Sequence, residues 1–259
     1  MAIIFPAKRQ KLADLVAEDL KRRIVIEKLA PGEYLPNEKA LIEEYDCAKA
    51  TIREALRVLE VEGLVQMKTG PGGGAAICEV TIDPACRALR NFLHFQRVNG
   101  SQVYQLRRVV EVEMASSVAG HLDEKAINRL QENISRCREP HEGEEGQRRH
   151  RILELEFHNI LAEYCPNPLL RFMGQFLNDF LRDLVILKKA YLPERKIFDQ
   201  SNLCFHVDLL DALVAGDRQR VRKVMDEHMC DAETHLTALE GVVADQMLVS
   251  NAPNQARAV

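Results

Sequence analysis

Four side chains in the second half of the chain have the types and spacing of a metal site. Glu154 and His158 are four residues apart, which makes them neighbours on one helix face. His206 and His228 flank the turn at Gly216-Asp217. If the two flanking helices are antiparallel, their imidazoles lie nearly level, roughly 15 and 17 Å from that turn. Three histidines and one carboxylate facing into a bundle suit a borderline divalent cation such as zinc or nickel.

Other roles for these histidines remain open at this stage. A histidine in a helical core often only hydrogen-bonds to a neighbour, so a structural role is one alternative. A metallohydrolase or decarboxylase is another, and it needs an acid or base placed beside the metal. Glu156 and Asp208 are the nearby candidates, but Glu156 projects about 100° per residue round the helix from both ligands of its helix. A metal-ion sensor, in which the ion is itself the signal, is the third alternative.

The segment that must position this group is predicted to be entirely helical. Asp123 and Asp217 stand where N-caps are expected, and prolines and glycines separate the periodic stretches. The fold class is therefore mainly α, with an antiparallel bundle of six to seven helices over residues 85–240. The tail, 241–259, has little apolar content at its end, which is predicted to be disordered. The predicted helices are 85–98, 101–121, 123–138, 147–164, 167–190, 194–215 and 218–240.

Residues 1–80 predict a winged helix-turn-helix domain, which a short linker over 81–84 joins to the bundle. A first helix over 11–28 precedes a shorter helix that Asn37 caps and that ends near Tyr45. After a tight turn comes a helix over 49–63, which Gly63 ends. Two short strands, 64–67 and 75–79, follow and are joined by a glycine-rich loop.

The helix over 49–63 has two distinct faces. Ile52, Leu56 and Leu59 form an apolar stripe, whereas Lys49, Arg53 and Arg57 fall at i, i+4 and i+8 on another face. A helix with one cationic face, preceded by a helix and followed by a wing, is suited to the DNA major groove. A helical hairpin with solvated charges is the alternative for this stretch.

Bulk composition neither supports nor excludes DNA binding. The net charge is −4, and residues 1–80 hold 12 Lys and Arg against 13 Asp and Glu. That balance argues against non-specific coating of nucleic acid. It is compatible with a sequence-specific DNA-binding protein that uses a few well-placed cations. Seven scattered cysteines form no CxxC pair, and no apolar run approaches the length of a membrane span. A cytoplasmic protein without a membrane partner is expected.

The motifs resemble a known family. Leu35-Pro-Asn-Glu-Lys-Ala-Leu, Thr51-Ile-Arg-Glu-Ala-Leu-Arg-Val-Leu-Glu and the glycine-tipped wing resemble the N-terminal domain of GntR-family bacterial transcription regulators. The helical remainder is similar to the FCD ligand-binding domain of the FadR-like subfamily. The residues that carry this second resemblance are Arg107-Arg-Val-Val-Glu111, Glu154-Leu-Glu-Phe-His158, Asn167-Pro-Leu-Leu, His206, Gly216-Asp217 and His228.

The resemblance implies a homodimer that binds a palindromic operator in double-stranded DNA, with repression as the commoner behaviour. Ala48 stands where the family usually has a Ser or Thr cap, and Lys49 replaces a usual arginine, which removes a bidentate grip on guanine. Both departures affect which operator sequence is read. The candidate DNA-binding residues are Lys39, Lys49, Thr51, Arg53, Arg57, Thr69 and Gly70.

The resemblance also implies an effector site. Metal-binding FCD domains generally have Asp at the position of Glu154, and Arg107 resembles the arginine that binds a small carboxylate effector beside the metal. Because Arg107 lies four residues from Glu111, an ion pair at the surface is the alternative role for this arginine.

Overall fold

The computed structural model describes residues 11–70, 72–96, 98, 100–188 and 196–237. This part of the chain is mainly helical, with ten helices and one two-stranded sheet. The chain divides into two compact units, Met1–Ala88 and Leu89–Val259. The elements are α1 Leu12–Ile26, α2 Glu38–Tyr45, α3 Lys49–Val61, β1 Val65–Lys68, β2 Gly74–Ile77, α4 Asp83–Phe95, α5 Gly100–Val118, α6 Glu124–Cys137, α7 Gly143–Glu163, α8 Pro168–Lys188, α9 Lys196–Val214 and α10 Arg218–Thr237.

The first unit packs α1, α2 and α3 around an apolar core. The stripe predicted on α3 is buried there together with Leu20 of α1 and Leu41 of α2. The strands β1 and β2 form an antiparallel hairpin in which Val65 pairs with Ile77 and Lys68 with Gly74. The apolar stripe thus turns the opposite, cationic face of α3 outward. The core residues are Val16, Ala17, Leu20, Leu35, Leu41, Ile52, Ala55, Leu56, Leu59, Val65, Ala75 and Ile77.

Local capping sets the ends of α2 and α3. The side chain of Asn37 accepts a hydrogen bond of 3.0 Å from the backbone N–H of Ala40, as its position predicts. Ala48 makes no side-chain cap at the start of α3. Gly63 follows α3 with φ of +76°, a left-handed conformation that glycine adopts without a steric penalty.

The second unit is a bundle built from α5 to α10. Its core draws on five helices, with Met114 from α5, Leu130 from α6, Phe157 from α7, Leu209 from α9 and Met225 from α10 all fully buried. The predicted cap at Asp123 is present, since its side chain accepts a 2.7 Å hydrogen bond from the N–H of Ala126. Among the described residues, every helix is too short or too polar to cross a membrane.

Most element boundaries differ from the prediction by one to three residues, and the start of α7 differs by four. The helix α7 begins at Gly143 rather than at 147, because Gly146 joins the helix instead of ending it. A Cβ at Gly146 would lie 3.2 Å from the backbone carbon of His141, so the glycine permits the preceding loop to approach closely. The helix α4 begins at Asp83, inside the predicted linker. The predicted helix ends at 189–190, 194–195 and 238–240, and the predicted tail 241–259, lie outside the described residues.

Candidate metal centre and nucleic-acid interface

Three histidines meet inside the second unit. His158 lies on α7, His206 on α9 and His228 on α10, and each is at most 2% exposed. Their ligand atoms all lie within 4.8 Å of one another, and among the described residues they form the one group of three or more metal-type donors. We call them the histidine group. Three of the four predicted ligands are therefore brought together.

Aromatic contacts fix the rings of the histidine group. The ring of Phe157 stacks on His206 with centroids 4.0 Å apart, and Phe205 lies 5.2 Å from His228. The rings of His206 and His228 are nearly perpendicular at 5.1 Å, which places them level across the α9–α10 hairpin. Because these contacts restrict the imidazole rotamers, the nitrogen positions are set before any ligand arrives.

The spacing of the nitrogens fits a single cation. The Nε2 atoms of His158 and His228 are 3.2 Å apart. When two nitrogens bind the same zinc ion at about 2.0–2.1 Å in a tetrahedral arrangement, the nitrogens lie roughly 3 Å from each other. Nε2 of His206 is buried without a hydrogen-bond partner. A buried imidazole nitrogen with no partner is costly unless something else satisfies it, and a metal ion would do so.

The electrostatics keep the histidine group neutral. Burial lowers the pKa of His158 and lowers the pKa values of His206 and His228 well below their ordinary range. The positive charge of nearby Arg107 acts in the same direction on all three pKa values. Because a histidine binds metal through a neutral imidazole, this environment favours ligation.

Glu111 on α5 is a site residue that the sequence analysis did not assign to the metal. It is fully buried, and its Oε2 lies 3.1 Å from Nδ1 of His158. Burial opposes its ionisation, but His158 and Arg107 hold the pKa of Glu111 below its ordinary value. A carboxylate that accepts from Nδ1 fixes the tautomer and directs Nε2 toward the metal position. The signal in the sequence was only its i+4 spacing from Arg107.

Arg107 forms the predicted ion pair with Glu111, but in the interior and not at the surface. Its Nε lies 3.4 Å from Oε1 of Glu111, and its Nη1 lies 3.4 Å from the hydroxyl oxygen of Tyr104. The side chain is only 3% exposed, and its Nη2 has no hydrogen-bond partner. A buried guanidinium with an unsatisfied N–H beside neutral histidines is a donor for an anion.

Glu154 has a different partner from the one predicted. Its Oε2 accepts a hydrogen bond from Nη1 of Arg151, and its Oε1 lies 3.8 Å from Nδ1 of His150. The carboxylate is almost completely buried, and Oε1 accepts no hydrogen bond. Glu154 lies one helical turn before His158 on α7, so the Arg151–Glu154 pair borders the histidine group. The structure keeps Glu154 beside that group without including it.

The predicted DNA-binding residues lie on α2, on α3 and in the loop between β1 and β2, and all but Thr51 are exposed. Nε of Arg53 is 3.1 Å from Oε1 of Glu38, and Nζ of Lys49 is 3.7 Å from Oε2 of the same carboxylate. Nζ of Lys39 lies 4.0 Å from Oε1 of Glu43. Three of the four predicted cations are therefore partly neutralised by carboxylates of α2. Arg57 is exposed on α3 and Thr51 is half-buried, while Thr69 and Gly70 are exposed between β1 and β2.

Each of the two units contains a region that matches the model of a known protein family. The model for bacterial regulatory proteins of the gntR family matches residues 12–74, and the FCD domain model matches residues 102–231. The chain belongs to the GntR family. It is a DNA-binding transcriptional regulator with a C-terminal FCD domain, and its mainly helical fold with an N-terminal helix-turn-helix is the predicted one.

Relatives of this GntR regulator include repressors of known name. The chain is 27% identical over 229 residues to the HTH-type transcriptional repressor NanR of Enterobacter sp. (strain 638), covering 86% of this chain and 85% of that protein. It is 26% identical over 236 residues to NanR of Cronobacter sakazakii (strain ATCC BAA-894), with coverage of 86% and 85%. A solved structure, Streptococcus agalactiae GntR, is similar in fold at 22% identity and a TM-score of 0.57, covering 86% of this chain and 99% of that one.

The two family matches divide the candidate residues between them. The GntR match contains α1 to α3 and the wing, and hence every predicted DNA-binding residue. The FCD match contains the histidine group, Arg107, Glu111 and Glu154. The candidate DNA-binding residues and the candidate metal and effector residues of this GntR regulator thus lie in different family domains.

Proposed function

We propose that this GntR regulator is a homodimeric repressor whose operator binding is modulated by a small carboxylate effector held at a metal centre. The observation that carries the proposal is the buried histidine group beside Arg107, whose Nη2 has no partner. Neutral nitrogen donors suit a cation, and an unsatisfied guanidinium suits an anion, so the site fits both together. The repressor role is supported by the similarity to proteins named as NanR repressors.

The chain would hold zinc or nickel through His158, His206 and His228, with Glu154 as the candidate fourth ligand. A bound cation supplies positive charge that attracts a carboxylate to an open coordination position. Glu111 orients His158 through Nδ1, and Arg107 donates to the effector carboxylate through Nη2. Burial of all these groups excludes water and strengthens the attraction between opposite charges.

The effector site is connected to a pair of helices that polar contacts tie together. Arg107 and Glu111 lie on α5, and neighbouring residues of α5 bind α10 on the outer side. Arg108 forms a bidentate ion pair with Asp226, and Arg222 forms one with Glu113. An effector that binds Arg107 and shifts α5 therefore also shifts α10, because these ion pairs join the two helices. It modulates DNA binding to the extent that it favours one arrangement of these helices.

DNA recognition would use α3 and the wing of each protomer. A homodimer with twofold symmetry presents two copies of α3, which matches a palindromic operator with two half-sites. The exposed cations of α2 and α3 bind phosphates or base edges, and the wing glycine Gly70 lets the backbone approach the duplex closely. Such a repressor acts in the cytoplasm, where bacterial DNA lies.

Metal analysis combined with a thermal-shift screen of small organic acids tests the effector site. We expect stoichiometric metal and a ligand that raises stability by about 2.7 kcal/mol at a concentration of 100 Kd. Arg107→Gln is expected to abolish that shift, while Arg108→Gln on the exposed side of α5 preserves it. Protein without metal and without any ligand response contradicts the proposal. Turnover of the bound acid would instead indicate an enzyme.

Chelation separates effector sensing from metal sensing. If the metal serves to hold the effector, a chelator abolishes the effector response and leaves operator binding of the effector-free protein unchanged. If the ion is itself the signal, chelation alone changes operator affinity.

A further inference from the structure

Glu38 connects two cations of the DNA-recognition helix. It is the first residue of α2, and its two carboxylate oxygens contact different partners at the start of α3. Oε1 accepts a hydrogen bond of 3.1 Å from Nε of Arg53, and Oε2 lies 3.7 Å from Nζ of Lys49. One carboxylate therefore holds both cations at the N-terminal end of the recognition helix.

The backbone fixes the position of Glu38. The preceding residue, Asn37, caps α2 through the N–H of Ala40, and a carboxylate in the first turn of a helix is favoured by the helix dipole. Leu41 of α2 packs in the same core as Ile52 of α3. Because the two helices share that core, the Glu38 carboxylate is set directly beside the start of α3.

These ion pairs contribute little to folding. The side chains of Arg53 and Lys49 are 67% and 65% exposed, and exposed ion pairs are typically worth about 0–1 kcal/mol. Their geometry has a clearer consequence for recognition. Glu38 engages Arg53 through Nε, which leaves Nη1 and Nη2 for a bidentate contact with the O6 and N7 atoms of a guanine.

We propose that Glu38 is a specificity-determining positioning residue of the DNA-binding surface. It directs the guanidinium of Arg53 toward a base edge, and it neutralises Lys49 so that the surface attracts general DNA phosphate weakly. The first effect raises operator affinity, and the second lowers affinity for other sequences, because non-specific binding depends on phosphate neutralisation. The near balance of charge in residues 1–80 fits a surface that limits non-specific binding in this way. The inference rests on the proposed reading of DNA by α3.

The test compares Glu38→Gln with Glu43→Gln. Both variants remove one carboxylate from α2, but the ion-pair partner of Glu43 is Lys39, at 4.0 Å, and not a residue of α3. The probes are a duplex selected from a random library by the wild-type protein and a random-sequence duplex of equal length. We expect Glu38→Gln to lower the ratio of the two affinities by about tenfold, as expected for loss of one oriented base contact. It is also expected to make the salt dependence of random-duplex binding steeper by about one phosphate contact. Glu43→Gln frees Lys39 but removes no contact to a guanidinium, so it is expected to lower the ratio much less than Glu38→Gln.

A double-mutant cycle with Arg53 identifies the mechanism. In an Arg53→Lys background no guanidinium remains to be oriented, so Glu38→Gln is expected to lower the ratio much less than in the wild type. An unchanged ratio in Glu38→Gln overturns the proposal, and so does an equal loss in Glu43→Gln. If the wild-type protein enriches no sequence at all, the DNA-reading function itself fails, and the role of Glu38 fails with it.

Discussion

Nδ1 of His158 and Oε2 of Glu111 are 3.1 Å apart, although the two residues are separated by 47 positions in the chain. This contact links α7 to α5 at the centre of the FCD domain. The same carboxylate accepts from Arg107 one helical turn earlier. Glu111 thus belongs both to the candidate metal centre and to the candidate effector site, and the two sites cannot change independently.

Replacing Glu111 is expected to weaken metal binding and to destabilise the domain. Glu111→Gln removes the carboxylate that orients His158, which typically costs about 10–100-fold in metal affinity. It also leaves Arg107 buried without its ion-pair partner, at a cost of about 3–5 kcal/mol. Competition with a chromophoric chelator and urea unfolding measure the two effects. Glu113→Gln on the same helix removes an exposed carboxylate, so it is expected to change metal affinity and the free energy of unfolding only slightly. Wild-type metal affinity in Glu111→Gln would exclude the orienting role.

Each ligand of the histidine group is expected to be necessary for full metal content. His158→Ala and His206→Ala remove nitrogen donors from a buried group of three, which leaves too few ligands for stoichiometric binding. Metal content of the purified variants, measured by mass spectrometry, tests this. His121→Ala is the control, because His121 is exposed and contacts Arg218 outside the group. Full metal retention in both variants would refute the site.

Glu154 is expected to bind the metal through Oε1. Its Oε1 accepts no hydrogen bond, so the carboxylate has an oxygen available for a cation while Oε2 remains with Arg151. If Glu154 is the fourth ligand, Glu154→Gln lowers metal affinity by at least about tenfold. Arg151→Gln leaves the carboxylate buried without its ion pair, so added metal stabilises this variant more than the wild type. Thermal unfolding with and without zinc measures both. Equal zinc-induced stabilisation in all three proteins would instead show that the three histidines bind alone.

Arg53→Ala is expected to weaken operator binding by at least about tenfold, which corresponds to ~1.4 kcal/mol. The reason is the loss of the guanidinium from the exposed cationic face of α3. Gel-shift titration on a duplex selected by the wild-type protein measures the effect. Arg22→Ala is the control, since it removes an exposed arginine of α1 whose ion-pair partner is Asp19. Unchanged affinity in Arg53→Ala would contradict the assignment of α3 as the recognition helix.

Gly63→Ala is expected to destabilise the first unit by about 2–3 kcal/mol, from backbone strain together with overpacking. Gly63 has φ of +76°, and a Cβ there would lie 2.8 Å from Cγ of Pro84. Gly72 has φ of +78° but nothing within 4 Å of an added Cβ, so Gly72→Ala isolates the backbone strain at about 1 kcal/mol. Urea unfolding of both variants measures the difference. Equal losses would show that the ring of Pro84 moves away at little cost.

The sequence by itself determined the order of the helices and the winged helix-turn-helix. It also determined that His206 and His228 lie side by side on neighbouring helices. These features depend on short-range rules. Periodicity places apolar residues on one face, a cap such as Asn37 starts a helix, and a glycine such as Gly63 ends one. Two residues that flank a short turn at similar distances must lie side by side once their helices pack antiparallel. Local spacing was therefore enough to predict that histidines would meet in the bundle.

Only the tertiary structure decided which charged partner each site residue takes. Along α7, Glu154 has two partners within reach, His158 four residues later and Arg151 three residues earlier, and the structure pairs it with Arg151. Arg107 and Glu111 have the spacing of a surface ion pair, yet α5 packs so that both are buried. Competition among charged side chains depends on which distant segments come together and how far water is excluded. Those two quantities arise from the packing of the whole bundle, and no local stretch of sequence contains them.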